Sequence, residues 1–120
     1  MTEAKRDGTE ARFRDDPENH RYVVEIGNEV VGHAVYHVRG DRYLFVHTEV
    51  NPELTGRGLG RGLVGYALDD MASRDELVVP ICPLFVSFIE SNPEYGEIVD
   101  WPLLDRITRS NRDDGSARDR

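Results

Sequence analysis

Between Val50 and Gly62 the chain reads VNPELTGRGLGRG. Three glycines, Gly56, Gly58 and Gly60, alternate there just before a stretch with helical apolar spacing. Residues without a Cβ let successive backbone N–H groups converge on an anion at a helix N-terminus. Arg57 and Arg61 flank the run and can add charge-assisted contacts to phosphate. The spacing is not that of the best-known phosphate loops. A P-loop requires lysine and then serine or threonine after its last glycine, and here Gly60 is followed by Arg61-Gly62. The dinucleotide fingerprint GxGxxG requires glycine where Arg61 or Leu63 stands. By itself the loop fits either an anionic ligand or a glycine-rich helix start that binds nothing.

Other side chains able to do chemistry lie on either side of this loop. Glu49 and His47 share one face of the strand that leads into it, and a carboxylate or imidazole there can take a proton from an amine. The plainer alternatives are a surface Glu49 paired with an arginine and a structural His47. His33 and His37 also share a strand face, but four residues along a strand span ~13 Å. Those two cannot chelate one ion by themselves, so they are taken as structural and no metal is expected. Cys82 stands between an apolar run and Pro83, where a helix dipole would stabilise a thiolate. It is a candidate nucleophile, a slot-lining group or an inert core thiol, free cysteine being among the most buried residue types.

The elements that must position these groups follow from periodicity and breakers. Tyr22–Ile26, Val30–Arg39 and Tyr43–Val50 read as three strands, joined by turns at Gly27-Asn28-Glu29 and Gly40-Asp41. Strict alternation sends Leu44, Val46, Thr48 and Val50 to one side of the third strand and Phe45, His47 and Glu49 to the other. Asn51-Pro52 ends that strand, proline having no N–H for the ladder. Leu59, Leu63, Val64, Ala67, Leu68 and Met71 then recur at helical spacing up to about Ser73. Leu77–Pro80 reads as a buried strand, Leu84–Glu90 as a helix opened by Pro83, and Trp101–Ile107 as a last strand or short helix. The expected class is mixed α/β: an antiparallel meander followed by a β-loop-α-β-α unit within residues 11–108, with polar ends at 1–10 and 109–120.

Composition narrows the function. The 120 residues carry 23 acids against 15 bases, a net charge of −8, and the middle, residues 21–105, holds 14 acids against 6 bases. An acidic body argues against nucleic acid as a partner, since backbone binding requires a basic patch. No apolar run approaches the ~20 residues of a membrane-spanning helix, so no membrane partner and a cytoplasmic location are expected. One cysteine cannot form an internal disulfide, in keeping with a reducing compartment. The only lysine, Lys5, lies in the polar leader, which disfavours lysine chemistry.

Taken together, the strand, Val-x-Pro-Glu, glycine-rich loop and Leu-Val helix resemble the acyl-coenzyme A loop of the GNAT N-acetyltransferase superfamily. Its pattern Q/R-x-x-G-x-G/A registers best on Thr55-Gly56-Arg57-Gly58-Leu59-Gly60, with Thr55 in the place of Gln or Arg. More specifically, residues 12–102 are similar to the small GNAT-like domain family. The resemblance is carried by HTEV (His47–Val50), PE (Pro52-Glu53), GRGLG (Gly56–Gly60), PICPLF (Pro80–Phe85) and NPEY (Asn92–Tyr95). It implies a minimal GNAT-like fold and acetyl-CoA as co-substrate without a metal. The coenzyme pyrophosphate would lie on the loop amides and the pantetheine along the strand ending at Val50. Val50, Thr55, Gly56, Arg57, Gly58, Leu59, Gly60, Arg61 and Asn92 would contact it, and Glu49, His47 and Cys82 are the catalytic candidates.

The acceptor that the resemblance implies is a small-molecule amine or a basic peptide. Many members of the superfamily place a tyrosine near the second helix as general acid. Phe85 and Phe88 occupy that helix here, and Tyr95 is the nearby phenol. The readings are therefore an N-acetyltransferase working by direct attack in a ternary complex, or a non-catalytic coenzyme A-binding or protein-interaction module. Thr55 and the missing phenol favour the second, and a structural domain that binds nothing is a third.

Overall fold

Four stretches of alternating side chains pair in succession as an antiparallel meander. They are β1 (Ala11–Asp16), β2 (Arg21–Ile26), β3 (Glu29–Arg39) and β4 (Arg42–Val50). A crossover through helix α1 (Leu59–Ser73) brings β5 (Leu77–Pro80) parallel to β4, giving the sheet order β1-β2-β3-β4-β5. Helices α2 (Pro83–Ser91) and α3 (101–109) follow. This computed structural model describes residues 11–54 and 56–109; Thr55 and the polar ends expected at 1–10 and 109–120, apart from Arg109 in α3, lie outside the described residues.

The mixed α/β class expected from the sequence is the one observed, with one added strand and one open segment settled. A strand precedes Tyr22: in β1, Ala11 and Phe13 pack on the core while Arg12 and Arg14 do not. That alternation is too short to stand out from the charges around it. The segment open between strand and helix, Trp101–Ile107, is helical. Among the described residues no helix is long and apolar enough to cross a membrane.

The buried stripe of α1 is Leu59, Leu63, Val64, Ala67, Leu68 and Met71, the same set that the helical spacing picks out. It packs on Tyr22, Val24, Ala34, Tyr36 and Phe45 from the sheet. Each fully buried side chain of this size contributes on the order of 1.5–3 kcal/mol. Phe45 also stacks on Phe85 with ring centroids 4.4 Å apart, which fastens α2 to the same core. The far end of α1 is tied to the sheet by polar contacts. The Tyr22 hydroxyl donates to Asp70 at 2.6 Å and accepts from Arg74 at 2.9 Å, and the Tyr36 hydroxyl donates to Asp15 at 3.1 Å. Burial, with the neighbouring carboxylates, holds both phenols well above the ordinary tyrosine range.

Two irregularities shape β4. Tyr36 pairs with Phe45 and Val35 with His47, so Val46 is an extra residue facing no β3 partner. Such a bulge reverses the alternation. Phe45 shares the core face with Thr48 and Val50, while His47 and Glu49 join Leu44 on the opposite, outer face. This corrects the strict alternation expected from the sequence, which put Phe45 with His47 and Glu49. The second irregularity is that β5 leaves β4 early. Their pairing ends at Phe45 with Pro80, and the N–H groups of Ile81 and Cys82 both turn to the Phe45 carbonyl at 2.9 Å. Among the described residues, Val46 to Val50 therefore have no strand beside them on that edge.

Candidate functional site

The gap left beside β4 opens onto the glycine loop. A groove of about 300 Å³ is lined by Thr48 and Val50 of β4, by Leu54, Gly56 and Gly58 of the loop, by Leu59, Gly60 and Arg61 of α1, and by Leu84 of α2. Local sequence explains its shape. Asn51 accepts the Glu53 N–H at 3.0 Å, closing the turn after the strand. Gly56 and Gly58 have φ of 93° and 74°, left-handed conformations that favour glycine. Gly58 is the N-cap of α1, no side chain among the described residues caps the helix, and its first-turn residues Leu59, Gly60 and Arg61 line the groove. A Cβ on Gly60 would lie 3.2 Å from Leu84 Cδ2 and 3.9 Å from Val50 Cγ2, so glycine there holds the groove open.

Of the residues that the resemblance assigns to the coenzyme, Val50, Gly56, Gly58, Leu59, Gly60 and Arg61 line this one groove. The Arg61 guanidinium rests 5.2 Å over the Phe88 ring, which fixes its position beside the helix start. Thr48, Leu54 and Leu84 also line it and were not picked out by the sequence; a strand register and the placement of α2 are needed to find them. Arg57 does not line the groove, and Thr55 lies outside the described residues. Asn92 stands elsewhere: its side-chain amide donates to the Phe88 carbonyl at 2.9 Å, at the C-terminal end of α2. It acts there as a cap and is not among the residues that line this groove.

The three catalytic candidates are not brought together. Cys82 is buried at the head of α2, and its thiol donates to Thr48 Oγ1 at 3.4 Å, behind the groove wall. Glu49 and His47 lie on the outer face. There Glu49 Oε1 is 3.6 Å from His47 Nε2 and 3.6 Å from His33 Nε2, since His33 pairs with Glu49 across the strands. Burial and the nearby Arg21 charge hold the His33 imidazole below the ordinary histidine value, which favours its neutral form. Spacing along the sequence relates His33 only to His37 on its own strand; the cross-strand register supplies its other neighbours.

A second groove, about 510 Å³, runs beside this cluster, lined by Val30 to His33, Glu49, Val50, Asn51 and Pro52. Val50 is common to both grooves, one holding the helix N-terminus and the other a carboxylate. Tyr95, the phenol nearest α2, donates to Asp69 at 2.5 Å. That bond, with some burial, pushes its pKa up to about 12.

Comparison with known proteins bears on the family and the fold. The profile of a family described as GCN5-related N-acetyl-transferase matches residues 21–98. No curated protein sequence matches at a significant level. Among solved structures, a GCN5-like protein from Staphylococcus aureus superposes with a TM-score of 0.56 at 17% identity, over 78% of this chain and 90% of that one. The ribosomal-protein-S18-alanine N-acetyltransferase of Escherichia coli superposes with a TM-score of 0.50 at 18% identity, over 59% of this chain. The match covers 49% of that enzyme, about half its length. At these identities the likeness is one of fold.

Proposed function

This chain belongs to the GCN5-related N-acetyltransferase family, and from that premise we propose that it moves an acetyl group from acetyl-CoA to an amine by direct attack in a ternary complex. The observation that supports this reading is Val50 standing between the two grooves. The pyrophosphate of the coenzyme lies on the N–H groups at the start of α1, with Arg61 beside it. The pantetheine runs past Gly60 along Thr48 and Val50, on the edge of β4 that β5 has left. Because β5 has left that edge, an amine arriving from the outer face reaches a thioester held on the core face.

The chemistry then divides among named groups. The amine nitrogen attacks the thioester carbonyl, forming the new C–N bond. Backbone donors at the Val46 bulge receive the charge developing on the carbonyl oxygen. Collapse breaks the C–S bond and releases coenzyme A. Glu49 takes the proton from the amine, with His33 and His47 flanking its carboxylate. The acidic body favours a cationic amine or a basic peptide as acceptor.

A second reading, a coenzyme A-binding module without turnover, is favoured by Tyr95, whose proton is held by Asp69 and is poorly placed to be given to a thiolate. Two measurements separate the readings. Calorimetry with acetyl-CoA, using Gly58→Glu as control, tests binding: no heat from the wild type would remove both. Thiol release against polyamines, amino acids and basic peptides tests turnover: binding without release would leave only the module.

A further inference from the structure

We infer that His33, His47 and Glu49 form a binding site for a late first-row divalent cation, with Zn²⁺ as the ion of reference. The three ligand atoms come from two adjacent strands and all lie within 4.8 Å of one another. A tetrahedral zinc ion with bonds of about 2.0–2.1 Å needs ligand atoms roughly 3.3 Å apart. The two imidazole-to-carboxylate separations, 3.6 Å each, are close to that spacing, and small rotations of the exposed His47 and Glu49 side chains close the third.

The backbone supplies the preorganisation. The bulge at Val46 puts His47 and Glu49 on the outer face together, and the β3–β4 register sets His33 directly opposite Glu49. Two imidazoles and one carboxylate, with no thiolate, suit zinc, nickel or copper better than magnesium or calcium, which prefer all-oxygen shells. The ion would keep an open position toward solvent and the adjoining groove beside Val30 and Pro52. One consequence rests on the acetyl-transfer reading: an ion held by Glu49 takes up the carboxylate that accepts the amine proton, so occupancy stops turnover. Binding itself does not depend on that reading.

The test is titration of the full, untagged 120-residue chain with Zn²⁺ in competition with a chromophoric chelator. One equivalent is expected to bind, millimolar Mg²⁺ is expected not to displace it, and His37→Ala is expected to leave it unchanged. His33→Ala and His47→Ala should each weaken binding by about tenfold or more. His47 is more than half exposed, so its truncation does not disturb the core, and circular dichroism checks both variants. Failure of the chain to draw Zn²⁺ from the chelator overturns the site, as does undiminished binding in both variants. Either result leaves acetyl transfer standing, whereas absent thiol release from the metal-free chain, when that same chain binds added Zn²⁺, removes the transfer reading alone.

Discussion

The Cys82 thiol lies 3.4 Å from the Thr48 hydroxyl, joining the head of α2 to the strand that lines the coenzyme groove. Thr48 faces the groove and the sulfur sits behind it, buried in the core. Direct attack makes no use of that sulfur. Cys82→Ala should therefore keep its turnover per folded molecule while losing about 1 kcal/mol of stability, from lost packing and one weak hydrogen bond. Thiol release and urea unfolding on the same sample check both halves. Loss of turnover in a folded variant, with ping-pong kinetics in the wild type, would put the acyl group on this sulfur instead.

Gly60 gives the sharpest test of the groove. A valine there would place its first side-chain carbon against Leu84 and Val50 and fill the passage between loop and strand. The position lies in the first turn of α1, where valine is at least as good a helix former as glycine, so stability should stay within about 1 kcal/mol. Acetyl-CoA binding measured by calorimetry should fall by at least about tenfold, equivalent to about 1.4 kcal/mol. Unchanged affinity would place the coenzyme outside this groove.

What the sequence made legible was whatever local periodicity specifies. The stripe from Leu59 to Met71 shows its buried face because a helix repeats within itself. The glycine loop shows itself because its conformations need glycine at fixed places, as Gly58 does at φ 74°. Pairing between strands is a different kind of information. The extra residue at Val46 turns His47 and Glu49 away from Phe45, and nothing in YLFVHTEV marks where the bulge falls. The closeness of His33 to Glu49 likewise depends on the register across a hairpin. Asn92 shows another limit: it stands in a recognisable motif, yet the bond from its amide to the Phe88 carbonyl depends on where α2 ends.

Glu49 carries the proton step in the proposed reaction. Glu49→Gln keeps the size of the side chain and removes the base. Turnover should fall by roughly 10²- to 10⁴-fold, with acetyl-CoA affinity unchanged, because the carboxylate lies on the outer face and the coenzyme groove on the other. Steady-state thiol release paired with calorimetry separates the two effects. Equal turnover in the variant would show that the amine loses its proton to another group.

Asp100 links the chain after β5 to the sheet. Its carboxylate accepts from Arg42 Nε at 2.7 Å and from the Leu103 N–H at 3.0 Å, and its own N–H donates to the Val78 carbonyl at 3.0 Å. The Arg42 hydrogen bond, then the one from Leu103, hold its pKa below the ordinary aspartate value. With the folded value below the unfolded one, the unfolded chain binds the proton more readily. The stabilisation is then complete above about pH 4 and is lost as the pH falls through the folded value. Asp100→Asn removes the charge while an asparagine oxygen can still accept the Leu103 N–H, so the helix cap is kept. The urea midpoint of the variant should lie below that of the wild type at pH 7, and the difference should shrink as the pH falls below about 4. A difference independent of pH would mean that the Arg42 contact contributes through packing and not through charge.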